Sequence, residues 1–391
     1  MLFWELFFYM NKSKEKHIIL LTGLGHFLVH FVTMILPAIL ILLEAEYNIS
    51  LVKLGTLVTI QFLFMGLGGL PAGILVDRFG SKYILIIYFI GLSLSCLWLY
   101  NSTTYLSIVL GMAFLGIVAG LYHPAGLKII SHAKDVSRYM AYHGVFGSIG
   151  LAAGPLFAVW MSNVYMWRFA YLAIAFISFS GLIMALFYPK EKMENPNWPS
   201  LKVNFSRAHI ILFTVSAIWG IAHHGVFNFL PYYFSERVQL GFNPVTEGGL
   251  LTGFVLALGI LGQLYGGRIG SQYPRKGLLV WVVGLNIPFL ILMSISWGSP
   301  LIIFACMMGA VNFMFQPISN SLIADVSPAK SRGLIYGISF ALSFGIGSLS
   351  GIICGYIGDY LQTNMIFVAM ALILIPATIF ASFLKKDVKK S

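Results

Sequence analysis

Charge is scarce in this chain. Of its 391 residues, 9% are Asp, Glu, Lys or Arg, 59% are hydrophobic, and mean hydropathy is +0.87. Soluble domains carry about 25% charged residues, so a soluble globule is excluded. Strand-type alternation is also missing, which excludes an outer-membrane barrel. The three cysteines, Cys96, Cys306 and Cys354, lie in apolar segments and form no CxxC pair. They read as small core residues, not as a disulfide framework or thiolate metal site. No nucleotide loop, metalloprotease motif or nucleophile arrangement is present, so the chain is not read as an enzyme and no cofactor is expected. The opening MLFWELFFY is too short, and has the wrong order of charge and apolar residues, for a secretory signal. Met10, followed by the basic NKSKEK, offers an alternative start.

Long apolar runs are abundant. Twelve recur, at about 18–43, 51–75, 83–100, 105–131, 139–160, 168–188, 208–234, 246–268, 278–296, 300–325, 334–357 and 364–384. Each is long enough to cross the roughly 30 Å hydrocarbon core as a helix. The fold class read from this is an all-α membrane protein with twelve transmembrane helices. Basic residues then separate by side. Lys53, Arg168 and Arg237 fall on one set of loops, and the other 21 of the 24 Lys and Arg on the opposite set. By the positive-inside rule both termini are cytoplasmic and the protein sits in the cytoplasmic membrane. The net charge of +11 is therefore a topology signal and not a nucleic-acid footprint. The expected partners are the lipid bilayer, a small-molecule substrate and protons, with the chain acting as a monomer.

The polar stretch YPKEKMENPNWPSLKVNFSRAH, 188–209, divides the chain near its middle. An offset of 194 aligns His30 with His224, Pro37 with Pro231, Gly73 with Gly267, Lys82 with Lys276, Ser137-Arg138 with Ser331-Arg332, and Tyr142 with Tyr336. This predicts a bundle of six helices over 1–188, a cytoplasmic linker over 189–207 and a second six-helix bundle over 208–391. Internal repeats of this kind are a transporter feature, with the substrate site at the midplane between them.

Between the second and third spans the chain reads GGLPAGILVDRFGSK, which contains Gly73-x-x-x-Asp77-Arg78-x-Gly80-x-Lys82. This resembles the signature of the major facilitator superfamily, and a looser version, GGRIGSQYPRK, fills the matching loop of the second half. In itself Gly73 permits close helix approach and Gly80 a tight turn. The resemblance implies two pseudo-symmetric bundles, and it implies that Asp77 acts as a gating residue. It would latch the outward-facing state by reaching the start of the eleventh helix, around Arg332–Ile335, where a helix N-terminus carries partial positive charge. The stretches LYHPAG and LGHFLVHF further resemble the fosmidomycin-resistance branch of drug and metabolite efflux proteins. That branch commonly carries acids where this chain has Ala125 and His30. Gly150 and Gly154-Pro155 match part of an antiporter pattern, but Ala158 and Val159 replace its later glycines.

Every Asp and Glu falls in a loop or near a helix end on these spans. Histidines stand where acids are missing. His26 and His30 lie one turn apart on the first span, His123 on the fourth, and His223 and His224 on the seventh. Ionisable groups inside a membrane mark pathways, and imidazole titrates near neutrality. His26, His30 and His123 are thus the expected substrate and proton site. Of the seventh-span pair one ring faces the cavity, and the repeat favours His224. Tyr122 and Phe227 are candidate walls, and Asn228, Asn312, Gln316 and Asn320 candidate polar contacts. Lys128 either snorkels to the interface or attracts an anion. The resulting function is proton-coupled secondary transport of a small organic solute, in the efflux direction. The alternative is a transition metal or metal chelate held by His26, His30 and His123, since imidazole suits such ions.

Overall fold

The computed structural model describes residues 13–131, 136–190, 205–328 and 332–384. Among the described residues every regular element is helical, and twelve helices are long and apolar enough to cross a membrane. They are numbered here by span. α1 comprises Ser13–Thr33, Ile35–Ala38 and Leu40–Tyr47; α2 is Leu51–Phe79, α3 Ser81–Tyr100, α4 Tyr105–Ser131, α5 Val136–Val164 and α6 Arg168–Phe187. Then come α7 Arg207–Arg237, α8 Pro244–Gln272, α9 Arg275–Ile295, α10 as Gly298–Phe313 and Phe315–Val326, α11 as Arg332–Gly345 and Ser350–Tyr360, and α12 Asn364–Ser382.

Prolines set the breaks. Pro37 has no N–H to give the carbonyl four residues earlier and crowds it. That carbonyl belongs to Thr33, and α1 breaks at Met34. Gln61 of α2 takes up the freed oxygen, its Nε2 donating to Thr33 O at 3.1 Å. α10 repeats the spacing, with a break at Met314 three residues before Pro317. Gly80, at φ 87°, makes the one-residue turn between α2 and α3, a backbone conformation that favours glycine.

Packing repeats along the chain. α1 lies on α5, α2 on α4, and α3 on α4 and α6; α7 lies on α11, α8 on α10, and α9 on α10 and α12. The two groups meet along α2–α11 and α5–α8, with the Ile35–Ala38 piece of α1 against α7. The predicted linker falls largely on 191–204, outside the described residues.

The two groups do not meet evenly. At the end away from the signature loop the seam is tight: Gly55 packs on the Gly351 carbonyl, and a side-chain carbon built on Gly66 would stand 2.7 Å from Gly345 N. Asp359 accepts from Leu51 N at 2.8 Å and Val52 N at 2.9 Å. Tyr232 donates to Glu44 at 2.9 Å and Asn163 to Thr246 at 2.8 Å. Toward the signature end the spacing grows. The same carbon on Gly69 would lie 3.5 Å from Phe340, and on Gly73, Gly144 or Gly337 it would meet nothing within 4 Å. The structure is therefore splayed at its basic end and closed at the other. Gly73 does not make the close approach expected from sequence, because the groups have parted at its level.

Candidate functional site

Histidines from three helices converge where α1 passes α4 and α5. His26 and His30 stand one turn apart, with their Nε2 atoms 3.1 Å apart. His26 Nδ1 lies 2.6 Å from the His143 carbonyl. A carbonyl only accepts, so Nδ1 carries the hydrogen and, in the neutral ring, Nε2 holds the lone pair. His30 Nε2–H then donates to it. The His26 ring also lies flat on the His143 ring, centroids 3.8 Å apart and 3° from parallel. Gly147, one turn beyond His143, leaves the room: a side-chain carbon there would stand 2.8 Å from His26 Nε2.

His123 meets these rings edge-on, with centroids 5.2 Å from His26 and 5.4 Å from His30. One ring nitrogen of each of His26, His30 and His123 lies within 4.8 Å of the others. His123 Nε2 is buried without a hydrogen-bond partner, and the ring reaches Phe340 of α11 at 5.0 Å. Tyr122 lies behind the imidazoles, fully buried, its hydroxyl donating to the Thr22 carbonyl and standing 3.4 Å from His143 Nδ1. It positions rings more than it lines a cavity.

The second group supplies a polar and aromatic face. His223 Nδ1 donates to Asn312 Oδ1 at 2.7 Å, and Asn312 Nδ2 donates to Asn286 Oδ1 at 3.3 Å. Trp219 stacks on His223 at 4.4 Å and on Phe315 at 4.1 Å, and its indole N–H is buried without a partner. His224, the ring favoured by the repeat, is 5% exposed between Phe62 and Phe344, at 4.6 and 4.8 Å. Asn228 is 1% exposed, with both amide ends unpartnered. Gln316 is exposed and accepts from Gln263 at 3.4 Å; Gln263 in turn accepts from Ser148 of α5 at 2.8 Å. The Asn320 carbonyl accepts from Tyr336 at 2.9 Å.

His143, Trp219, Gln61 and Gln263 were absent from the sequence candidates. For Trp219 a signal exists: Trp219, His223 and Phe227 recur at four-residue spacing and so share a helix face. His143 carries none, because its role depends on a carbonyl and a stacking contact 117 residues away in sequence.

In the signature, Asp77 accepts from Lys128 Nζ at 2.8 Å, and the same ammonium reaches the Val76 carbonyl at 3.1 Å. Lys128 is thus tied to the end of α2. Lys82 donates to the Leu186 carbonyl at the end of α6 at 2.8 Å, and Arg78 lies over the Phe79 ring at 5.4 Å. The partner expected for Asp77, the start of α11, adjoins residues 329–331, which lie outside the described residues.

Chemically, the site offers neutral imidazole lone pairs, imidazolium charge when protonated, amide groups and aromatic faces. Among the described residues, Asp and Glu lie at helix ends and loops, so a cation arriving here would find no carboxylate among them to meet it.

The family model described as Major Facilitator Superfamily matches residues 22–293 and 239–391. Among known proteins, the sialic acid transporter NanX of Escherichia coli (strain K12) is 25% identical over 362 residues, covering 86% of each chain. The fosmidomycin resistance protein of the same organism is 20% identical over 369 residues, covering 88% of this chain and 87% of its own. Among solved structures, a bacterial homolog of the human lysosomal transporter Spinster, in an inward-facing and occupied conformation, superposes with a TM-score of 0.79 at 13% identity, over 95% of this chain and 97% of that one.

Proposed function

The chain belongs to the major facilitator superfamily and carries a small solute across a membrane, and from that premise we propose that it exports a small organic anion, a drug or metabolite, in exchange for protons. The observation that carries this reading is the imidazole cluster of His26, His30, His123 and His143 at the seam, with no carboxylate beside it among the described residues. A neutral imidazole N–H is a charge-assisted donor to a carboxylate, and a ring that titrates near neutrality takes up the exchanged proton once the anion has left. An acidic solute is also what one relative, the sialic acid transporter, is named for.

The proposed cycle is a rocking of residues 1–188 against 208–391 around the fixed site. In this reading the protein is a monomer of the inner membrane with both termini in the cytoplasm, which the bias of Lys and Arg among the loops supports. On that orientation the splayed end faces the cytoplasm, so solute enters between α4, α7, α10 and α11 and meets His123, His30 and His223 together. Closure of that end would bring Asp77 to the start of α11, and opening of the other would release Asp359 from α2. Protons entering from outside take the imidazoles as the anion leaves.

Inside-out vesicles test direction and coupling together. With an acid lumen, they are expected to accumulate a carboxylated sugar such as sialic acid, and a protonophore should abolish the accumulation. Accumulation that ignores the gradient, or that runs only in right-side-out vesicles, would contradict the proposal.

A further inference from the structure

The imidazole cluster also has the geometry of a metal site, and we propose that His26, His30 and His123 together bind a borderline divalent transition-metal ion, whose remaining coordination positions are filled by the organic anion. The inference deepens the transport reading and rests on it. The solute would be a chelating anion, such as a hydroxamate or an α-hydroxycarboxylate, carried with its metal.

Four observations converge. First, nitrogens bound to one zinc-type ion at about 2.0–2.1 Å stand roughly 2.9–3.4 Å apart, depending on the bond angle; His26 and His30 Nε2 are already 3.1 Å apart. Second, His26 gives its Nδ1–H to the His143 carbonyl at 2.6 Å. A metal-ligating histidine is held this way, with the outer nitrogen bonded to a carbonyl and the inner one free to coordinate. Third, His123 brings a ring nitrogen within 4.8 Å of the other two, and its Nε2 is buried without a partner. An unpaired buried nitrogen costs stability, and coordination would relieve that cost. Fourth, among the described residues no carboxylate joins the rings. Three neutral imidazoles leave two positive charges uncompensated at membrane depth, so the ion is held only with an anion beside it. That requirement links the metal to the solute.

The binding step is simple in its proton balance. His30 now donates Nε2–H to His26. On metal entry its hydrogen moves to Nδ1, and both Nε2 lone pairs face the ion, with no net proton released from neutral rings. Imidazole suits zinc, nickel, cobalt and copper.

Cobalt(II) is the probe, because its d–d absorption reports ligand type and geometry. Purified full-length protein in detergent, at one fixed pH, is titrated with cobalt(II) in the presence of acetohydroxamate. One equivalent is expected to give a low-symmetry imidazole-bound spectrum, and omission of acetohydroxamate should weaken it. His123→Ala is expected to lower affinity at least about tenfold. His30→Cys should retain binding, with a new thiolate-to-cobalt charge-transfer band, whereas His30→Asn should lose it. That band is a readout no packing role produces. His209→Asn, at the distant start of α7, should bind as wild type. A wild-type titration with no d–d band, or a spectrum unchanged in His30→Asn and His123→Ala, would overturn the proposal. Vesicle accumulation of a metal-free carboxylate would be untouched by that failure, so the two readings separate.

Discussion

At the scale of single residues, the site is a problem of holding imidazoles in an apolar medium. Each ring costs free energy unless its nitrogens are occupied. The fold meets this by giving His26 the His143 carbonyl and a flat neighbour, and by giving His223 the Asn312 amide. His123 is left with a bare nitrogen. Residues that touch solute should then separate from those that only pack. His30→Ala and His123→Ala should each reduce solute affinity roughly ten- to hundredfold, the worth of a charge-assisted hydrogen bond of about 1.5–3 kcal/mol. Tyr122→Phe should do so only indirectly, through the rings it supports. Equilibrium binding to purified variants checks this, and equal losses in all three would refute the distinction. A second residue-scale prediction lies outside the membrane. Partial burial raises the Glu46 carboxyl, but the Arg168 hydrogen bond, the Trp167 N–H, the Arg168 charge and Tyr47 outweigh it and hold its pKa below the ordinary value of 4.5. A depressed carboxyl contributes stability that is present above its unfolded pKa and lost as pH falls through the folded one. The thermal midpoint should therefore fall on acidification below about pH 4.5, and Glu46→Gln should flatten that part of the profile.

Elements do the switching. Asp359 at the end of α11 caps the start of α2, and the resemblance of the signature implies that Asp77, at the opposite end of α2, reaches the start of α11 in the other state. On that proposal the same helix pair carries an acid at each end, each meeting the partner's positive terminus in one of the two states. In this structure the Asp359 cap is made, while Asp77 is held by Lys128 of its own group. Loss of a helix cap costs about 1 kcal/mol, a roughly fivefold change in a two-state population. Asp359→Ala should accordingly shift the protein toward the opposite opening. A cysteine placed at Ala38, buried in the closed seam, in a background lacking the native cysteines, should react about fivefold faster with an impermeant thiol reagent in that variant. An unchanged rate would remove Asp359 from the gate. Asp77→Asn should act the other way, slowing reaction at Ala38→Cys by reducing the outward-facing population. The element scale also marks the limits of sequence reading. The twelve spans follow from apolar length, and Gly80 from its turn. The break of α1 at Met34 follows from Pro37 in principle, but its rescue by Gln61 does not, because that contact crosses helices. Close approach was expected at Gly73, whereas Gly55 and Gly66 make it; glycine identity says a helix can come near, and the conformational state decides where it does.

For the whole molecule, what was legible in sequence is the chemistry that pattern alone can carry. His26 and His30 share a face by spacing, and the fourth-span His123 joins them. Which of His223 and His224 stands beside the polar chain depended on the rotation of α7, set by its packing on α11 and α2, and the structure places His223 there. His143 entered only through tertiary contact. The central claim, that the imidazole cluster recognises an organic anion, is tested most directly by the thermal midpoint of the purified protein in detergent against a panel of organic acids. A ligand that binds only the folded state raises the midpoint by mass action. At least one acid is expected to raise it for wild type and for His209→Asn, and to have no effect on the variant in which His26, His30 and His123 are all replaced by Asn. An acid that stabilises this triple variant as strongly as wild type would place the binding site elsewhere.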